Sequence, residues 1–146
     1  MNRNNRWLSL SRVICGFIMA LCAYIQPVAQ AASGSWSVDA DGNWNTDSNW
    51  SPVAVPGTAA GDVVALTNNI AAPRTVTIDG TSRTVGTLLI GDPASLYFGY
   101  LLAASGGAGL TFNNNGNDAM LVQTNNASAS DTLSVPLALT DNLFIT

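Results

Sequence analysis

Three tryptophans and a run of aspartates and asparagines are the residues of this chain best placed to do chemistry. Trp36, Trp44 and Trp50 fall at intervals of eight and six residues. Exposed indole rings can stack on sugar faces, so the three can form a glycan platform. The same rings bury a large area and can instead seal the open end of a coil; this capping role is the preferred reading. Asp39-Ala40-Asp41-Gly42-Asn43 sets oxygen ligands at alternate positions, a spacing that suits calcium, with Asp39, Asp41 and Asn43 as the ligands. It departs from the EF-hand loop, because its glycine comes early and no Glu follows at the twelfth place. Asp and Asn are also ordinary turn residues that bond their own backbone.

Two further groups are weaker. Gly106-Gly107-Ala108-Gly109 begins like a glycine-rich calcium repeat, but Thr111 stands where the aspartate belongs, so the segment reads as a link. Asp79 and Asp92, with Arg74 and Arg83 nearby in sequence, offer carboxylates of the kind that hydrolyse glycosides. The chain has no His, Lys or Glu, which removes most nucleophile–base arrangements. No catalysis and no cofactor are expected, calcium being the one candidate ion.

The N-terminus reads as an export signal. Arg3, Arg6 and Arg12 form a basic start, Val13 to Ile25 is an uncharged apolar run, and Val28-Ala29-Gln30-Ala31 ends it with small residues. The apolar run is shorter than the roughly 20 residues that cross a bilayer core. Cleavage is expected after Ala31. Both cysteines leave with that segment, as do three of the five arginines. Two arginines then face nine aspartates, a net charge of −7. Such a surface repels nucleic acid, which is bound through Lys and Arg contacts to phosphate. No disulfide framework remains.

The rest of the chain spends its residues on Thr, Val, Leu, Asn and Gly, a mix that favours strands and tight turns. Val64/Leu66, Val76/Ile78 and Leu88/Ile90 are apolar pairs at i and i+2, repeated every twelve residues. Each pair points two side chains to one face of a strand. An apolar strand is expected over Leu96–Leu102, after which Leu110/Phe112, Met120/Val122, Leu133/Val135 and Leu143/Ile145 resume the ladder. Asn68-Asn69, Asp79-Gly80, Asn113 to Gly116, Asn125-Asn126 and Asp141-Asn142 mark the corners, where asparagines can bond to their copies one coil away.

These features predict an all-β fold: a parallel β-helix, or β-solenoid, with an antiparallel β-sandwich as the alternative. The expected division is a signal peptide over 1–31, a Trp/Asn-rich cap over 32–57, and solenoid coils over 58–146. The last residues end within a strand and carry no polar cap, so the coils are expected to be incomplete.

The segment Trp36…Gly42-Asn43-Trp44…Asn49-Trp50…Val55-Pro56-Gly57…Asp62-Val63-Val64-Ala65-Leu66 resembles the start of bacterial autotransporter-associated β-strand repeat proteins. Thr75-Val76-Thr77-Ile78-Asp79-Gly80, Thr84 to Gly91, Gly109 to Asn113 and Val135 to Leu139 are similar to their coils. The resemblance covers residues 36–146. It implies a right-handed β-helix passenger, structural or adhesin-like, at the surface of a Gram-negative or related bacterium or released from it. Its expected partners are host or environmental glycans or proteins, with no nucleic acid. Membrane contact is expected only through the signal peptide or through a C-terminal barrel that is expected to be missing from this chain.

Overall fold

The computed structural model describes residues 32–94, 98–124 and 130–146. The signal peptide, its cleavage point at Ala31, part of the strand expected over Leu96–Leu102, and the Asn125-Asn126 corner lie outside the described residues.

Among the described residues thirteen short strands follow one another: β1 (Gly34–Trp36), β2 (Gly42–Asn43), β3 (Trp50–Ser51), β4 (Val63–Leu66), β5 (Arg74–Asp79), β6 (Arg83–Val85), β7 (Thr87–Ile90), β8 (Tyr100–Ser105), β9 (Leu110–Phe112), β10 (Ala119–Gln123), β11 (Thr132–Ser134), β12 (Leu137–Leu139) and β13 (Leu143–Ile145). They form three sheets. Sheet A runs β13-β10-β7-β4-β1-β3, sheet B runs β11-β8-β5-β2, and sheet C runs β12-β9-β6. After the first coil, in which β3 returns to sheet A, the chain visits A, B and C in turn from β4 onward and comes back one layer further along, which makes a three-sided β-solenoid of about four turns.

Every strand pair is parallel except β1 with β3, where Trp36 lies opposite Trp50. That pairing excludes the antiparallel sandwich. It also explains the twelve-residue step. Val64 pairs with Leu88, 24 residues on, within sheet A. Val76, midway between them, pairs with Leu102 in sheet B. Twelve residues therefore carry the chain from one face to the next sheet, and two such steps close a coil.

The inward side chains form one continuous core: Trp36, Trp44 and Trp50, then Val64, Leu66, Val76, Ile78, Val85, Leu88, Ile90, Tyr100, Leu102, Leu110, Phe112 and Ala119. Burying each large aliphatic side chain contributes roughly 1.5–3 kcal/mol. The paired residues Val64/Leu66, Val76/Ile78, Leu88/Ile90 and Leu110/Phe112 all point inward, as their alternation requires.

The Met120/Val122 pair does not. Met120 lies opposite Thr87 and Leu121 opposite Leu88, so Met120 and Val122 face outward while Ala119 and Leu121 face the core. A one-residue shift of register moves every side chain of a strand to the other face. The shift originates at the corner before β10. Between β6 and β7 the corner is the single residue Gly86, whereas between β9 and β10 it is the six residues Asn113 to Asp118. The longer corner folds back over the shorter one. A Cβ on Gly86 would stand 2.6 Å from Asn114 Oδ1 and 2.7 Å from Gly61 Cα, so only glycine fits there.

Candidate interaction surface

The tryptophans are fixed by the first coil. β1 and β3 pair antiparallel and bring Trp36 edge-on to Trp50, with centroids 5.2 Å apart and planes at 86°. Trp44 sits 4.9 Å from Trp50. Trp44 Nε1 donates to Pro56 O and Trp50 Nε1 to Trp44 O, at 2.9 and 2.7 Å. The three residues are 2%, 0% and 1% exposed, so no indole face is open to stack on a sugar.

The carboxylates proposed as calcium ligands are engaged with the neighbouring coil. Asp39 Oδ1 accepts from Arg74 Nε at 2.7 Å, and its two oxygens also accept the Ala71 N–H. The Arg74 guanidinium holds the Asp39 carboxyl below the usual carboxylate range, helped by the Ala71 N–H. Asp41 Oδ1 accepts the Thr75 N–H at 2.8 Å, and Asn43 Oδ1 accepts the Asn45 N–H. Among the described residues no three Asp, Glu, His or Cys side chains are grouped to hold a metal ion.

Asp41 exemplifies a role that recurs along the stack. Gly42 pairs with Val76, so Asp41 lies opposite Thr75 and its carboxylate takes the N–H directly across the ladder. Asp131 does the same for Tyr100 N at 2.8 Å, and Asp141 for Asn114 N. Asp79 accepts from Ser105 Oγ at 2.6 Å, and Asp118 from Asn142 Nδ2 at 3.2 Å, each from its register partner. The corners do stack coil on coil, as expected, but aspartates are frequent acceptors of the side-chain bonds between coils, beside others such as Asn115 Nδ2 to Ala60 O and Gly109 N to Ser82 Oγ, and asparagine-to-asparagine pairs do not carry them among the described residues. A carboxylate accepts strongly from an N–H, so it closes the ladder where the strand ends.

Asp62, which spacing did not single out, and Asp92, one of the candidate hydrolytic carboxylates, both lie inside the fold. Asp62 is buried, and its Oδ2 accepts from Thr58 N and Ala59 N, pinning the loop that leads into β4. Asp92 is buried too, with Oδ1 on Ala94 N. One oxygen of each lacks a hydrogen-bond partner, as does Trp36 Nε1. Asp79 ends β5 and Asp92 follows β7, so the two lie at different corners. Arg83 turns inward at the edge of sheet C, where Asn45 Oδ1 accepts from its Nε at 2.9 Å; burial lowers its pKa. Arg74 and Arg83 are thus committed to separate contacts.

Beyond the Gly106-Gly107 turn lies an open depression of about 180 Å³, lined by Ser82, Gly109, Leu110, Pro136 and Leu137. Small-molecule sites usually enclose about 300–1,000 Å³, so this one is too shallow for such a ligand.

The outer face of sheet A differs from both. Val63, Thr87, Met120 and Phe144 are aligned across four strands, with Ala65, Leu89 and Val122 aligned beside them. None is charged. Val63, Met120 and Phe144 are 41%, 38% and 58% exposed. The outer face of sheet B is more polar, with Thr75, Thr77, Asp79, Ser105, Thr132 and Ser134 around Leu101 and Ala103. Val53, Leu137, Leu139 and Ile145 are exposed as well, but the strip on sheet A aligns its apolar side chains across four strands, and contiguous apolar surface is where an interaction site is sought.

No protein-family model matches the chain, and no match was found among curated proteins or solved structures. The fold fits a structural or adhesin-like module.

Proposed function

We propose that this chain is an exported structural module of adhesin-like type, displayed on the surface of a Gram-negative-type bacterium or released from it. The uncharged strip on the outer face of sheet A is its adhesive surface. That strip is the observation that carries the reading: Val63, Met120 and Val122 face outward, and none of the side chains aligned with them is charged. The basic start, apolar run and small-residue exit of residues 1–31 support export, and the resemblance of residues 36–146 to autotransporter-associated β-strand repeats supports a passenger-type role.

Adsorption of the chain to methyl-terminated and hydroxyl-terminated surfaces, followed on a microbalance, tests the adhesive part. The wild type binds the methyl surface preferentially, and a Val63→Lys, Met120→Lys double variant with an unchanged circular dichroism spectrum loses that preference. Equal retention of the variant would remove the strip from the reading. Export is tested separately by fusing residues 1–32 to a phosphatase that is active only outside the cytoplasm; an inactive fusion would refute it.

A further inference from the structure

Asn115 is the one asparagine of the chain that is followed by glycine. The backbone nitrogen of a following residue can attack an asparagine Cγ and close a five-membered ring. A side chain on that residue obstructs the approach, and glycine has none. Elsewhere the follower is bulky: Trp44 after Asn43, Trp50 after Asn49, Ile70 after Asn69 and Leu143 after Asn142.

The fold leaves this dipeptide open. Asn115 and Gly116 stand at the tip of the corner between β9 and β10, and both are exposed. Among the described residues Asn115 is the one non-glycine with positive φ, 56°, and Gly116 follows at 80°. A Cβ on Gly116 would meet nothing within 4 Å, so the peptide has room to turn. The Asp-Gly steps, which can close the same ring, are held instead. Asp41 Oδ1 accepts the Thr75 N–H, and Asp79 accepts from Ser105 Oγ and Asn43 Nδ2.

The Asn115 amide is also a latch between coils. Its Nδ2 donates to Ala60 O at 3.2 Å and lies 2.7 Å from the Cβ position of Gly61. Gly61 N donates to Asn113 O at 2.9 Å, so the loop before β4 is tied to this corner at two points. A single solvent-exposed hydrogen bond adds little net stability, so the amide leaves it often enough to free Cγ. Asp141 Oδ2 accepts the Gly116 N–H at 3.3 Å and the Asn114 N–H as well, and Asp118 is exposed nearby.

We infer that Asn115-Gly116 is a self-modification site, at which water converts the amide to a carboxylate and opens the latch on Ala60. The Gly116 nitrogen gives its proton to hydroxide and attacks Asn115 Cγ. The Cγ–Nδ2 bond breaks, and that nitrogen takes a proton from water and leaves as ammonia. Water then opens the ring at either carbonyl. The product is aspartate, or its isomer in which the chain runs through the side chain. No oxidant or other co-reactant is consumed. A carboxylate only accepts hydrogen bonds, so neither product can donate to Ala60 O, and the new charge joins Asp118 and Asp141 at one corner. The isomer also lengthens the backbone by one carbon. Both products loosen the corner from the loop that leads into β4.

The test holds the full chain in mildly alkaline heavy-oxygen water, native and in urea, and maps the label by peptide fragmentation. In the native chain the label should enter Asn115 about tenfold or more faster than Asn113, Asn114 or Asn117, equivalent to about 1.4 kcal/mol of barrier. Asn115→Gln should take up none at that position. Amide exchange at Gly61 should be about threefold to tenfold faster in the aged chain and in Asn115→Asp than in fresh wild type, the loss of one hydrogen bond of ordinary net strength. Absence of label at Asn115 in the native chain overturns the site, and label in urea alone shows that the fold protects it. Label spread evenly over the four asparagines of the corner overturns it as well. Label at Asn115 with Gly61 exchange unchanged, in the aged chain and in Asn115→Asp alike, overturns the latch.

Discussion

Substituting Gly86 by alanine isolates the tightest point of the coil stack. The added methyl would meet Asn114 Oδ1 at 2.6 Å and Gly61 Cα at 2.7 Å. Neither neighbour is free to yield. Asn114 Nδ2 donates to Asp118 O at 2.8 Å, and Gly61 N donates to Asn113 O at 2.9 Å. Overpacking of this kind costs about 1–3 kcal/mol, and two anchored neighbours place the cost in the upper part of that range. Alanine also restricts the unfolded chain, which returns about 0.4–1 kcal/mol. The net loss is about 1–2 kcal/mol. In urea, with a slope of about 1–2 kcal/mol per molar, the midpoint should fall by about 1 M. Equilibrium urea unfolding followed by circular dichroism reads this directly. Adding Asn114→Gly to the variant removes one of the two contacts and should restore only part of the loss, because Gly61 Cα remains. A midpoint that is unchanged or raised in Gly86→Ala would refute the close packing of this corner.

Adjacent leucines on β7 test the facing of sheet A. Leu88→Ala opens a cavity in the core and should cost about 2–5 kcal/mol, whereas Leu89→Ala on the outer face should stay within about 0.5 kcal/mol; equal losses by thermal melting would contradict the register. Asp39 gives a pH signature. Its carboxyl is lowered in the folded chain by the Arg74 hydrogen bond, so the stability it contributes is present above the ordinary aspartate pKa of 3.8 and is lost as pH falls below it. Asp39→Asn should therefore flatten the fall in melting temperature below that pH, and an unaltered acid profile would count against the pair.

The alternation of single strands carried most of what was legible before the coordinates. Val64/Leu66, Val76/Ile78 and Leu88/Ile90 are spaced by two because a strand buries every second side chain, and all six are core residues. The twelve-residue step was visible but not its meaning, since only the pairing of Val64 with Leu88 shows that one coil takes two steps. Met120/Val122 mislead because both are apolar and correctly spaced; their facing is decided by the corner before them, through contacts to Gly61 and Gly86 that no local pattern contains. The tryptophan spacing allows both a glycan platform and a buried cap, with the area that three indoles bury favouring the cap, and the antiparallel return of β3 shows how they are enclosed. Aspartates such as Asp41 and Asp131 read as turn residues in sequence. Their acceptor role needs the register partner, which lies 34 residues away for Asp41 and 31 for Asp131.

The unequal corners of sheet A have a consequence for engineering. One residue, Gly86, and six, Asn113 to Asp118, make the same passage from sheet C to sheet A. Length can therefore change at this vertex while the ladders on either side keep their pairing. At the tip of the longer loop, Asn115 and Gly116 both have positive φ, and Asn115 to Asn117 are exposed. A Cβ on Gly116 meets nothing within 4 Å. A peptide spliced between Gly116 and Asn117 would leave the solenoid as a tether at one known level of the stack. The vertex thus offers a graduated mounting point, where cargo length is a free variable and the three faces serve as a fixed ruler.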